Sequence, residues 1–137
     1  DEHGEYLKFI AGQVRSALHT LPKSIVRKLA IAYEPVWAIG EHAAASDTPE
    51  DFRSVAIFIK KIVSEYAGAG AALSVPVLYG GSVSKENAVS FVSEGDADGL
   101  LVGRASLKLP AIKNIIIDIE ALKRTQRSQK SKYERTR

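Results

Sequence analysis

Three short segments of this chain contain residue types that take part in catalysis or bind phosphate groups. The first contains Glu34, a carboxylate beside Pro35 and Trp37. A carboxylate that is shielded from water has a raised pKa and can act as a general base. The other two segments are Gly80-Gly81-Ser82 and Gly103-Arg104, in which glycine leaves backbone N–H groups accessible to an anion.

Each segment also has a purely structural explanation. A glutamate at the end of a strand is more often a capping or salt-bridge group than a catalytic base. Glycine occurs in tight turns whose dihedral angles other residues avoid. The functional interpretation is favoured by position, because each segment directly follows an apolar run that predicts a buried strand.

The elements that position these segments alternate between strands and helices. The apolar runs predict strands at 29–33, 75–79 and 99–102. Apolar spacing and capping residues predict four helices, over 5–21, 49–67, 84–92 and 110–122. This order predicts an α/β fold with right-handed crossovers and a parallel sheet. The carboxyl ends of parallel strands share one edge of the sheet, so we expect the three segments to meet there.

The composition is that of one compact domain. The chain has 137 residues, of which 45% are hydrophobic and 26% charged. It contains no Cys, which excludes disulfides, thiolate nucleophiles and thiolate-ligated metals. Its apolar runs are shorter than the roughly 18 residues that a membrane-spanning helix needs. We interpret the sequence as that of a cytoplasmic protein without a membrane partner.

The last fifteen residues differ in charge from the rest of the chain. Seven Lys or Arg and one acidic residue lie in 123–137, while the remainder carries a net negative charge. Such a tail could contact nucleic acid, but it has one aromatic residue, Tyr133, for stacking on bases. We therefore predict a folded domain over 1–122 and a disordered, solvated tail over 123–137 that binds no nucleic acid.

The three segments and their surroundings resemble triosephosphate isomerase. The stretch 32–40 is similar, nearly residue for residue, to the sixth strand and lid of that family. Two further stretches, 78–83 and 98–103, resemble its seventh and eighth loops, and the resemblance extends over 4–122. It implies the carboxyl-terminal part of a (β/α)8 barrel, with three parallel strands and four helices in this chain.

The resemblance also implies an activity and roles for particular residues. The activity is the interconversion of dihydroxyacetone phosphate and glyceraldehyde 3-phosphate, with Glu34 moving a proton through an enediol. Gly40, Ser82, Gly103 and Arg104 would donate backbone N–H groups to the substrate phosphate. No metal or organic cofactor would be needed, and the full-length protein would be a homodimer.

The sequence departs from the family pattern in ways that affect this expectation. After Gly40 the family usually has Thr-Gly, where this chain has Glu41-His42, and Arg104 replaces a glycine of the eighth loop. The resemblance does not cover the family's lysine after the first strand or its histidine after the fourth. His3, His19 and His42 do not match that histidine, so we expect this chain alone to be nearly inactive.

Three hypotheses therefore stay open from the sequence. Since the chain begins at Asp1 and contains no Met, we expect it to be the carboxyl-terminal part of a longer isomerase. It could instead be one half of a split enzyme whose other half is a second chain. The third hypothesis is an inactive half-barrel that binds phosphate, because three strands cannot close a barrel and leave exposed sheet edges.

Overall fold

The computed structural model describes residues 5–38 and 47–135. Within these ranges a three-stranded sheet alternates with helices in the order that the sequence predicts. The strands are β1 (Ile31–Tyr33), β2 (Val77–Tyr79) and β3 (Gly99–Leu100). The helices are α1 (Glu5–His19), α2 (Lys23–Val26), α3 (Pro49–Ala67), α4 (Ala69–Ser74), α5 (Ala88–Ser93) and α6 (Leu109–Arg135).

The sheet is parallel, with the strand order β1-β2-β3. Tyr33 pairs with Tyr79, and Tyr79 pairs with Leu100, so the three strands end at nearly the same level. The α/β prediction is confirmed, although each strand is shorter than its apolar run. Four of the helices correspond to the predicted ones. The two additional helices, α2 and α4, are short and follow Pro22 and Gly68.

Helix α3 connects β1 to β2 and begins and ends as its sequence indicates. The Thr48 side chain accepts a hydrogen bond from the Asp51 N–H at 3.1 Å, and Pro49 occupies the first turn. These features satisfy free N–H groups at the helix start. The helix ends at Gly68, whose φ of 88° is readily adopted only by glycine.

The core lies between α3 and one face of the sheet, and its centre is aromatic. Phe52 of α3 is fully buried and contacts the rings of Tyr33, Tyr79 and Phe91 with centroid distances of 5.4–6.4 Å. The rings of Tyr79 and Phe91 stack at 3.7 Å. This cluster joins α3, β1, β2 and α5, and it therefore supports the strand ends from behind.

The predicted disordered tail is not what the structure shows. Helix α6 continues past Leu122 to Arg135. The prediction ended the helix where apolar residues stop, but that point marks the end of packing and not of the helix. No Gly or Pro follows Pro110, and Lys, Arg and Gln are good helix formers. Glu120 and Arg124 also form an i,i+4 ion pair at 2.6 Å.

Because the residues over 123–129 are all exposed, we expect the end of α6 to contribute little to stability. Deleting 123–137 should change the free energy of unfolding by less than about 0.5 kcal/mol. Far-UV circular dichroism should nevertheless lose helical signal. Urea denaturation of both forms checks the first expectation, and a loss above about 1 kcal/mol would show that the segment packs against the body.

A groove of about 510 Å³ lies between α1 and β1, and no residue of β2 lines it. Its lining is predominantly apolar and includes Phe9, Val14 and Ile31. β1 and β3 are the two outer strands of the described sheet, so each has a free edge. None of the helices that the structure describes is long and apolar enough to cross a membrane.

Candidate active site

Glu34 lies at the end of β1 and is exposed, next to the backbone of Gly80 after β2. The Gly80 N–H donates to the carbonyl oxygen of Tyr33 at 2.9 Å, which holds the two segments together. A Cβ atom at Gly80 would lie 2.6 Å from Cγ of Glu34. The glycine therefore allows the carboxylate side chain to rest against the loop that follows β2.

Gly81 is required for a similar reason. A Cβ atom there would collide with the hydroxyl group of Tyr79, whose ring is buried. Among the described glycines only Gly68 has a positive φ, so Gly80 and Gly81 do not serve the turn through unusual dihedral angles. The structural explanation from dihedral angles is thus wrong for this pair, and close approach of other groups explains both glycines.

The loop after Gly81 is stabilised by Asn87. Its side-chain amide nitrogen donates to the Ser82 carbonyl at 2.8 Å, and its amide oxygen accepts from the Ser84 N–H at 2.8 Å. Helix α5 consequently begins at Ala88 and not at Ser84, where the sequence predicted its start. Asn87 was not identified as a site residue, and an Asn closing a Gly-Gly-Ser loop is the signal that could have found it.

The third segment continues the same edge. The Leu101 N–H donates to the Tyr79 carbonyl at 2.8 Å, and a short 3₁₀ helix follows at Arg104–Leu107. Both the N–H and the hydroxyl of Ser106 donate to the Gly103 carbonyl, at 2.9 and 2.7 Å. Asp96 is the one described non-glycine residue with a positive φ, so Arg104 replaces a family glycine without that strain.

The structure therefore brings Glu34, Ser82, Gly103 and Arg104 to one edge of the sheet, as parallel pairing requires. Their roles in binding and catalysis stay predictions. Gly40, Glu41 and His42 lie outside the described residues, as does His3. His19 is exposed at the end of α1.

The beginning of the segment after Glu34 is held by packing. Pro35 is almost completely buried, whereas Val36 is 78% exposed. Trp37 is partly exposed and meets Tyr6 of α1 edge-on, with ring centroids 6.2 Å apart. The predicted lid segment therefore begins at the buried Pro35, and Trp37 packs against Tyr6 of α1.

Burial changes the pKa of three groups below this edge. The pKa of Asp47 is raised to about 6. Partial burial and the Asp51 charge disfavour the ionised form, and they outweigh the hydrogen bond from the Thr48 N–H, which favours it. Burial and the Asp47 charge raise the pKa of Tyr79 to about 12, and the same two causes also raise that of Tyr33. Sequence reasoning missed Asp47, because its environment depends on two distant strands.

Substituting Gly81 by Ala should be more damaging than substituting Gly80 by Ala. The new methyl group at position 81 would push against Tyr79, which is stacked and buried, whereas at position 80 it would displace the exposed Glu34 side chain. We expect Gly81→Ala to lower the free energy of unfolding by about 1–3 kcal/mol. Chemical denaturation of the two variants in parallel tests this order, and equal losses would contradict it.

Comparison with known proteins agrees with this arrangement. The family model described as triosephosphate isomerase matches residues 1–119. The triosephosphate isomerase of Dictyoglomus thermophilum is 44% identical over 115 residues, which are 84% of this chain and 45% of that protein. The corresponding protein of Trichlorobacter lovleyi is 40% identical over 115 residues, again 84% and 45%. That of Roseiflexus sp. is 39% identical over 113 residues, or 82% and 44%.

The chain thus spans a little less than half the length of these relatives, and the match includes all three strands and the loops that follow them. Identity of about 40% over more than four fifths of the chain cannot arise from composition alone. This protein belongs to the triosephosphate isomerase family.

Proposed function

We propose that this chain forms the carboxyl-terminal part of an active triosephosphate isomerase, in which Glu34 is the general base. The observation that carries the proposal is the contact between Glu34 and Gly80. It places a carboxylate directly beside the loop that leads to Ser82, whose backbone N–H is one of the proposed phosphate donors. A three-carbon phosphate could bind there with its reacting carbons next to Glu34.

In the proposed reaction the carboxylate of Glu34 removes a proton from the carbon beside the carbonyl of dihydroxyacetone phosphate. The electron pair of the C–H bond forms the C=C bond of an enediolate, and the carbonyl oxygen takes the negative charge. A proton then passes from the terminal hydroxyl group to that oxygen, and the proton held by Glu34 is added to the neighbouring carbon, which gives glyceraldehyde 3-phosphate. The atoms balance without an oxidant, metal or organic cofactor. The backbone N–H groups of Gly40, Ser82, Gly103 and Arg104 would hold the phosphate during this transfer.

The chain needs further protein to carry out this reaction. A carbon acid ionises slowly unless a fixed electrophile stabilises the oxyanion, and each such donor typically contributes about a hundred- to a thousandfold in rate. The free edge of β1 supports this requirement, because a sheet that continued there would pair it, and further protein against β1 and α1 could also cover the apolar groove between them. The missing strands and electrophiles would come from the same polypeptide or from a second chain.

A second candidate function is phosphate binding without turnover. It is favoured by the loops after β2 and β3, which contain Gly80, Gly81 and Gly103 and lie entirely within this chain. In this case the glycine loops would retain affinity for phosphate while the oxyanion of the substrate stayed unstabilised. Isothermal titration of this chain with inorganic phosphate and with dihydroxyacetone phosphate would detect such binding.

A chimeric enzyme tests the first proposal. The amino-terminal part of the Dictyoglomus thermophilum relative, up to the point that aligns with Glu5, would be fused to residues 5–137 of this chain. We expect the chimera to interconvert the two triose phosphates and the unfused chain to show no turnover. A chimera that is folded by circular dichroism, binds the substrate and is inactive would contradict the proposal and favour the binding function.

We further propose that the complete protein is a cytoplasmic homodimer that interacts with neither nucleic acid nor membranes. The support is its family membership and the small phosphorylated substrate that this family membership suggests. Size-exclusion chromatography with light scattering of the complete protein would test the dimer.

A further inference from the structure

A small polar cluster lies below the edge that carries Glu34. It consists of Tyr33 at the end of β1, Tyr79 at the end of β2, and Asp47 just before α3. The hydroxyl of Tyr33 and Oδ2 of Asp47 are both buried, and neither has a hydrogen-bond partner among the described protein groups. Tyr33 itself is only 8% exposed. Two unpaired polar atoms in one buried place are unfavourable unless they can pair with each other.

The charges that act on this cluster are mostly of one sign. Asp47 is the leading charge acting on Tyr33, and Tyr6 of α1, Tyr79 of β2 and Asp51 of α3 also act on it. Asp51 opposes ionisation of Asp47, and the Thr48 N–H favours it. Ionised Asp47 is therefore disfavoured within the cluster, whereas the neutral acid can enter it and carries a proton that the Tyr33 oxygen can accept.

Tyr33 connects this cluster to the proposed base. It directly precedes Glu34, and its carbonyl accepts the hydrogen bond of the Gly80 N–H at 2.9 Å. Its ring packs on Phe52 with a centroid distance of 6.4 Å, so the ring cannot move without affecting the end of β1. A change in the partner of the Tyr33 hydroxyl is thereby transmitted through the Tyr33 backbone to both Glu34 and Gly80.

We propose that Asp47 is a proton-dependent positioning residue for Glu34. When it is protonated, the carboxyl group turns to donate a hydrogen bond to the Tyr33 hydroxyl oxygen, a bond that the structure does not contain. The ionised carboxylate turns towards solvent and leaves Tyr33 without that bond. The positioning role rests on the proposed function of Glu34, but the coupling between Asp47, Tyr33 and Gly80 does not, and it can be measured on this chain without turnover.

The direction of the pH dependence follows from the raised pKa of Asp47. A carboxyl group whose pKa is higher in the folded than in the unfolded chain stabilises the fold below its unfolded value, near 3.8. That stabilisation is lost as the pH rises through about 6. We expect the unfolding constant to rise about tenfold over this interval, which is less than a full shift would give because the carboxyl group is partly exposed.

The experiment is a pH titration of the Gly80 amide by NMR in the chain as it exists. The wild type should show a transition near pH 6, which is absent in Asp47→Asn and strongly reduced in Tyr33→Phe. Asp51→Asn keeps a side-chain oxygen that can accept the hydrogen bond of the Thr48 hydroxyl, but it removes the charge that raises the pKa of Asp47. This variant should therefore move the transition to lower pH without removing it. His42→Asn is the matched control, because imidazole titrates in the same range, and it should leave the transition unchanged.

The outcomes distinguish the alternatives. A transition that persists in Asp47→Asn, or that disappears in His42→Asn, would overturn the proposal. The same holds if Tyr33→Phe leaves the transition intact, because Asp47 would then act on Gly80 without Tyr33. Should a variant fail to fold, the pH titration of the chemical shift of the Asp47 carboxyl carbon in the wild type gives the pKa of Asp47 directly. An ordinary pKa near 4 would also overturn the proposal. If the chimera is inactive but the titration is as expected, the proposed role of Glu34 is contradicted, whereas the coupling between Asp47, Tyr33 and Gly80 is not.

Discussion

Glu34→Gln should lower kcat of the chimeric enzyme by about 10²–10⁴-fold, with a much smaller change in KM. Gln has nearly the same shape as Glu and keeps one oxygen acceptor, but it cannot take up a proton from carbon at neutral pH. Because Glu34 is exposed, the substitution should not alter the stability of the fold. Steady-state rates of isomerisation in both directions would measure the effect.

The matched control for this substitution is Glu65→Gln. Glu65 is a half-exposed carboxylate on α3 that pairs with Arg15 at 3.3 Å, on the helix layer and away from the strand ends. Its replacement should leave kcat within about twofold, since exposed ion pairs contribute little. If both variants lost activity equally, the loss would reflect a general effect of charge and Glu34 would not be the base.

Phe52→Ala should lower the free energy of unfolding by about 3–5 kcal/mol, the largest stability effect that we expect in this chain. Phe52 is fully buried and joins the rings of Tyr33, Tyr79 and Phe91. Removing its ring leaves a cavity between α3 and the sheet, directly behind the strand ends. Since small domains are stable by about 5–15 kcal/mol in total, the variant could lose most of its folded population.

Urea denaturation followed by circular dichroism measures this loss. Ile57→Ala is the control on the same helix, because Ile57 is 63% exposed and its truncation should cost less than about 0.5 kcal/mol. If Phe52→Ala does not fold, Phe52→Leu retains most of the apolar volume and should show a smaller loss in the same direction. Equal effects at positions 52 and 57 would contradict the assignment of the core.

Much of the fold could be predicted from local patterns. The order of strands and helices follows from apolar runs and from capping residues, and the start of α3 at Thr48-Pro49 is an example in which structure and sequence agree closely. These signals are local, because a cap or an apolar stripe acts within one element. The end of α6 was mispredicted for the same reason, since the loss of an apolar face does not end a helix that good helix formers continue.

The sequence by itself determined that this protein belongs to the α/β class, and it identified the segments that follow the strands. Strands that alternate with helices bring their carboxyl ends to one edge, whatever the details of packing. The tertiary structure decided how these segments contact one another. It showed that Gly80 and Gly81 provide space for Glu34 and Tyr79, that one carboxylate oxygen of Asp47 is buried, and that the Asp47 charge acts on two tyrosines. The contact of Gly80 with Glu34 and the effect of Asp47 on Tyr79 join residues tens of positions apart, so these distances and pKa values depend on the packing of whole elements and cannot be read from spacing along the chain.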